Sequence, residues 1–444
     1  MRRLNPLLLL LLTACDVPAE IQEVLRDPTS HERYSASLVR AGLDQTGAGR
    51  DWVEEAERAM ASPLVVSLPH REDGFLDPAI PRALGYRFEL RRGQRLQVDL
   101  ALDEVRPGRL FIDLFRLASD STSPPFFQLD LPPDSTHLEF DAPRSGSYLL
   151  RVQPELLRGG AFAIEIRVVP QLAFPVEGRG PSAVLSRFGA DRDGGRRAHR
   201  GVDIFAPRGT PALAAGDGRV TRVDTTNLGG NVVWMTTARG GHRLYYAHLD
   251  RQLVREGQQV RVGDTLGLVG NTGNARTTPP HLHFGVYVRR EGALDPYPFI
   301  EPLRTGVVAA DSAARTLIGR WARAGVDGVV AREAPNTRAP ELERLRRGAA
   351  VWVVSASQAF YRVQLPDGRE GYVPQRGMQS ASAAFAVMDA VAGAPIRAAP
   401  RPGAPLRGRV PSEEARLAVL GLYDRYGLVL DSEGREGWIE LEDD

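Results

Sequence analysis

Apolar residues along this chain keep two different rhythms, and the changes of rhythm divide it. In "DWVEEAERAM" (Asp51 to Met60) they recur at helical spacing behind a capping aspartate, with glutamates that suit the dipole of a first turn. Residues 16–62 are read as a partly helical tether. From Leu64 to about Pro170 the period drops to two, as in "RLQVDLAL" (Arg95 to Leu102) and "GRLFIDLFRL" (Gly108 to Leu117), with turn clusters such as "SDSTSPP" and "APRSGS" between. Residues 63–170 are expected to form a β-sandwich of jelly-roll type. Short strands punctuated by glycine and proline continue through residues 174–303. "DSAARTLIGRWARAG" (Asp311 to Gly325) returns to a helical pattern with a capping aspartate and a terminal glycine, which predicts a linker helix over 308–325.

The remaining tail repeats itself. "AREAP" (Ala331 to Pro335) returns 65 residues later as "IRAAP" (Ile396 to Pro400), and "DGREGYV" (Asp367 to Val373) returns 66 residues later as "EGREGWI" (Glu433 to Ile439). Near-equal shifts imply a duplicated module over 326–380 and 388–444. Each copy has short strands ending in a Gly-aromatic-aliphatic step, and so resembles the bacterial SH3-like domains that accompany cell-wall hydrolases. Trp352, Tyr361, Tyr372, Tyr426 and Trp438 are read as core aromatics of these small barrels.

Composition narrows the chemistry. At 444 residues the chain is too long for one core. Its 56 basic and 55 acidic residues nearly cancel, so no whole-chain field favours nucleic acid. Every basic residue is arginine, which excludes a P-loop lysine, a Schiff base and a biotinyl or lipoyl attachment. For that reason "VREGQQVRVGDTLGLVG" (Val254 to Gly270), although patterned like a lipoyl hairpin, is read as plain β-structure.

The single cysteine, Cys15, excludes disulfides and a Cys-ligated zinc. It closes "MRRLNPLLLLLLTAC", in which two arginines precede an apolar run far short of the ~20 residues of a spanning helix. Residues 1–15 therefore read as a signal peptide. The "LTAC" ending resembles the lipobox of bacterial lipoproteins, which implies acylation of Cys15, a membrane partner through the lipid, and a place in the bacterial cell envelope outside the cytoplasm.

Histidine is concentrated in one unit: five of eight, His199, His242, His248, His281 and His283, lie between residues 199 and 283. In "PPHLHFGVYV" (Pro279 to Val288) the alternation marks a strand, so His281 and His283 project from one face. A catalytic zinc takes three ligands from His, Asp or Glu and leaves a position for water. His199, Asp203 and one of the pair supply that count, while the other and His248 are available as acid/base or electrostatic groups. His242 is read as a surface residue.

At these residues a resemblance becomes specific. "SRFG" (Ser186 to Gly189), His-x-x-x-Asp (His199 to Asp203), "YAHL" (Tyr246 to Leu249) and His-x-His (His281 to His283) stand in the order found in the lysostaphin-type zinc endopeptidases of bacterial peptidoglycan. The resemblance covers 174–303 and implies one Zn2+ on His199, Asp203 and His283, with His248 and His281 flanking the water and the scissile carbonyl. It implies peptidoglycan as the partner and a mainly β, multidomain chain: a β-sandwich, an antiparallel β peptidase domain and two SH3-like barrels. A different outcome for the same fold is a non-catalytic wall-binding regulator that activates another hydrolase; such relatives lack one or more of the five positions, all of which are present here. The chain departs from the family in "NARTTPP" (Asn274 to Pro280), longer and proline-bearing, and at Gly285, where an acidic residue often sits. Both departures bear on substrate preference.

Overall fold

The structure is a computed structural model, and it describes residues 26–441 except 105–107, 119–124, 133–134, 193, 303–305, 307–309, 390, 412–415, 432–433 and 435. The signal-peptide reading and Cys15 lie outside the described residues.

The alternating stretch folds as two packed sheets. His70–Leu76, Gly160–Pro170, Gln94–Glu104 and His137–Asp141 lie side by side in one; Leu84–Leu90, Gly146–Pro154, Leu110–Arg116 and Phe126–Asp130 form the other, with Leu64–Val65 added in parallel at its edge. Successive strands cross between sheets in the order of a jelly roll. The inward residues Tyr86, Phe88, Leu96, Val98, Ile164 and Ile166 are buried between them, as a period of two requires.

The segment read as a tether is docked. Helices Ser30–Arg40 and Gly47–Ala61 bury Leu38 and Trp52 against Phe111 on the outer face of the second sheet. The second helix starts earlier than the acidic run suggested: Thr46, not Asp51, is its cap, accepting from Gly49 N–H.

The linker helix of 308–325 is not formed as expected. Among the described residues only Ser312–Arg315 is helical, and Arg320–Ala324 is a strand paired with Ala350–Ser357 and Met378–Ser380. Gly319, at φ +73°, breaks the helical path. Beyond it Ala322 and Ala324 are fully buried, so tertiary pairing overrides a helical propensity.

That strand opens the first SH3-like unit, which is fused to the jelly roll. Asp73 and Gly74 pair with Ala356 and Ser355, so one eleven-stranded sheet runs through both units. The joint encloses a network of buried charge. Arg362 contacts Glu370 at 2.8 Å and Glu72 at 3.4 Å, Arg82 contacts Glu370 at 2.5 Å, and His70 sits 3.1 Å from Glu72. Burial raises the cost of charging Glu370, but Arg362, Arg82 and Arg58 outweigh it and hold the carboxyl at about 2. The second unit, a six-stranded sheet, packs on the first through Trp321, Trp438, Tyr426 and Leu428. Of the repeat aromatics, Tyr361, Tyr372, Tyr426 and Trp438 are buried and Trp352 is half-buried.

The histidine-rich unit is built on a ten-stranded sheet whose central path runs Val184–Ser186, Val202–Phe205, His281–Val288, Arg243–Gln252, Gly230–Thr237 and Gly218–Thr226. Its core face carries Val202, Ile204, Leu244, Tyr246, Leu282 and Phe284. It abuts the jelly roll on the side away from the SH3-like units: Phe299 packs under Gly93, Arg92 pairs with Glu291 at 2.6 Å, and Arg239 pairs with Glu139 at 2.6 Å. His242 belongs to this contact. It is partly buried, edge-on to Phe299 and 3.2 Å from Gln171 Oε1, so the reading of it as a surface residue is corrected: it packs between two units.

Candidate metal centre

The opposite face of that sheet is the site. Register places Asp203 opposite His283 and Phe205 opposite His281, while Ala247 also faces His283. Because Leu282 and Phe284 enter the core, His281 and His283 must face outward together, into a cleft of about 670 Å³.

Three donor atoms converge. His199 Nε2 and His283 Nδ1 each lie 3.0 Å from Asp203 Oδ1 and 3.0 Å from each other. His281 Nε2 is 4.0 Å from the same carboxylate oxygen, and the His248 ring stands 5.0 Å from His281 and 5.9 Å from His283, centroid to centroid. The sequence-derived set is thus brought together in full.

Backbone carbonyls fix the tautomers. His199 Nδ1–H donates to Arg187 O, His248 Nδ1–H to Thr272 O and His281 Nδ1–H to Pro279 O, each at 2.9 Å. A carbonyl can only accept, so all three rings present a bare Nε2 lone pair to the cleft. His248 reaches this pose at φ +63° inside a strand whose register shifts. Such a backbone costs on the order of 1–3 kcal/mol for a non-glycine residue.

Gly201 keeps the space open, since a Cβ there would stand 2.7 Å from the His283 ring.

Electrostatics agree. Burial opposes ionisation of Asp203, yet the His199 and His283 rings set against its Oδ1 outweigh it and hold the carboxyl far below its ordinary value. Burial pushes His248 down to about 4, and the charges of His283 and His281 add to the shift. The imidazole is therefore neutral near pH 7.

One buried and one half-buried imidazole with a buried carboxylate, oriented by second-layer hydrogen bonds and facing an open cleft, form a donor set of the kind a mononuclear metal centre uses. The residues fit zinc: nitrogen and oxygen donors in a compact group of three, with room for a fourth position.

One functional residue was missed. Arg192 Nη2 lies 2.5 Å from Asp203 Oδ2 and 2.7 Å from Ser186 Oγ, so it holds the ligand carboxylate by its second oxygen. Among the five arginines from Arg187 to Arg200, nothing local distinguished it.

The comparisons agree with this chemistry. Residues 197–296 match the model of peptidase family M23, and 327–379 match the bacterial SH3 domain. Peptidoglycan DD-endopeptidase ShyC of Vibrio cholerae is 44% identical over 88 residues, 20% of either chain. The L-Ala--D-Glu endopeptidase of Bacillus subtilis is 35% identical over 139 residues, 29% of this chain and 42% of that protein. The solved catalytic domain of lysostaphin from Staphylococcus simulans is 35% identical, covering 26% of this chain and 87% of that one, with a TM-score of 0.23. The chain spans between a fifth and about two fifths of the length of these two curated relatives. It carries an M23 peptidase domain of the lysostaphin type, from a family of zinc metallopeptidases, together with a bacterial SH3 domain.

Proposed function

We propose that the protein is a zinc-dependent endopeptidase that cuts peptide cross-links or stem peptides of bacterial peptidoglycan, held at the cell envelope by acylated Cys15. The observation that carries this reading is the convergence of His199, Asp203 and His283 within 3.0 Å of one another, with His248 and His281 turned toward the same point. The single cysteine at the end of a short apolar run supports the anchor.

His199, Asp203 and His283 would hold the ion. When bound, zinc supplies Lewis acidity to the scissile carbonyl and acidity to water. His281 Nε2, an acceptor because Nδ1 is committed to Pro279, takes the proton of the attacking water. His248 Nε2 is likewise an acceptor at rest, so its part comes after proton transfer. Once the proton taken by His281 is relayed to it, the His248 imidazolium donates to the oxyanion and passes that same proton to the leaving amine.

Incubating the chain from Asp16 onward with purified sacculi, with and without chelator, tests the reading by mass spectrometry of released muropeptides. Metal-dependent loss of cross-linked dimers is expected, and a zinc-loaded, folded sample that releases nothing would overturn it. His281→Ala is expected to keep its metal while hydrolysis falls about 10²–10⁴-fold; a variant that still cuts would remove the role given to His281. Intact mass of the membrane-extracted protein checks the acyl group on Cys15.

A further inference from the structure

Beyond the histidines the cleft face continues as an aromatic floor with two uncommitted cations. On the His281–Val288 strand the positions following His281 and His283 on the same face are Gly285 and Tyr287, and Tyr245 lies opposite Gly285. Tyr287 packs 5.2 Å from Trp234, which in turn lies 4.4 Å from Tyr245. Gly285 makes this packing possible, because a Cβ there would stand 2.8 Å from the Tyr287 ring.

Arg200 lines the cleft directly after His199, and Arg243 lies over the Trp234 ring at 5.0 Å. Arg200 and Tyr287 line the same cleft, and Arg243 stands opposite Tyr287 in the ladder; burial raises the Tyr287 phenol, and the charges of the two arginines pull it back. Neither arginine has a carboxylate partner among the described residues. Arg192 and Arg208, by contrast, are committed to the carboxylates of Asp203 and Asp250. Glycine at 285 also leaves no acid on the strand beside Arg200.

We propose that Arg200, with Arg243 across the Trp234–Tyr245–Tyr287 floor, forms a subsite for a substrate carboxylate close to the scissile bond. The preferred substrate class is therefore an acid-bearing stem peptide and not a neutral glycine bridge. The aromatic rings take the extended backbone, and the guanidinium fork takes the carboxylate by paired hydrogen bonds. This inference rests on the proposed peptidase reading for the identity of the ligand.

The test uses two probes: a cross-linked stem-peptide dimer with free carboxylates and the same dimer fully amidated. Binding is measured to the His281→Ala protein, and hydrolysis with the unaltered chain. The free-carboxylate probe is expected to bind about tenfold more tightly. Adding Arg200→Gln is expected to narrow that gap to less than about twofold, and Arg200→Lys to restore part of it. Equal binding of the two probes, or a gap that survives Arg200→Gln, overturns the subsite. Discrimination in binding without hydrolysis by the unaltered chain keeps the subsite and overturns the peptidase reading instead.

Discussion

At the scale of single residues, the site is an exercise in fixing lone pairs. Each carbonyl that receives an Nδ1–H belongs to a loop flanking the site, Arg187 in "SRFG", Thr272 in "GNTG" and Pro279 in the proline-bearing segment. The departure of "NARTTPP" from the family pattern therefore leaves the orientation of His281 intact. Arg192 does for Asp203 what these carbonyls do for the imidazoles, since it engages Oδ2 and leaves Oδ1 to the two histidines. Arg192→Ala is expected to weaken zinc about 10–100-fold, the usual effect of losing a partner of a ligand; competition with a chromogenic chelator reads this without any turnover. Affinity unchanged in that variant would show that the carboxylate is held well enough by His199 and His283 alone. The five site positions were legible in the sequence because histidine is scarce and clustered, and because His-x-His on an alternating strand has one geometric outcome. Arg192 was not, since only the folded hairpin Asp191–Arg192/Arg197–Ala198 selects it among its neighbours.

At the scale of elements, the docked helices add an acid-sensitive contact. His31 is buried, stacked on Trp52 at 4.7 Å, with Nε2 2.7 Å from Gln153 Oε1. Burial and the nearby Arg151 charge hold it down to about 3. The depressed value means that the docked imidazole stays neutral where a free one would take a proton. Docking is therefore at full strength above about pH 6.5 and weakens as pH falls from there toward 3, by a few kcal/mol in all. Hydrogen exchange of the Ser30–Arg40 amides between pH 7 and 4 should show progressive loss of protection, and His31→Gln should flatten that dependence. Periodicity revealed the second of these helices and the jelly-roll strands, but not that the helices are docked, because Trp52 and Phe111 meet only after the chain has doubled back. The strand at Arg320–Ala324 was hidden for a related reason: "RWARA" has helical propensity, and its burial comes from distant partners, with Ala350 opposite Arg323 27 residues on and Ser380 opposite Ala322 58 residues on.

At the scale of the whole molecule, the jelly roll stands between the histidine-lined cleft and the SH3-like pair, joined to one by surface ion pairs and to the other by a continuous sheet over buried charge. The second joint is the firmer of the two. Arg362→Met would leave Glu72 and Glu370 buried without their shared cation, and a loss of about 3–5 kcal/mol is expected in chemical denaturation. Arg92→Ala, in the partly exposed pair with Glu291, should cost less than about 1 kcal/mol by the same measurement. The shared ladder also decides where the chain can be divided. A fragment ending at residue 310 would retain His199, Asp203 and His283, yet the His70–Leu76 strand would lose Ala350–Ser357 and become a bare sheet edge. Its stickiness, seen as dimers or larger species in light scattering where the full chain is monodisperse, is the expected result of the cut. The division by sequence at residue 326 also severs Arg320–Ala324 from the barrel it belongs to. What looks like a modular string of domains is, on this side, one piece of cloth, and recombination between relatives would have to exchange the sandwich and the first barrel together.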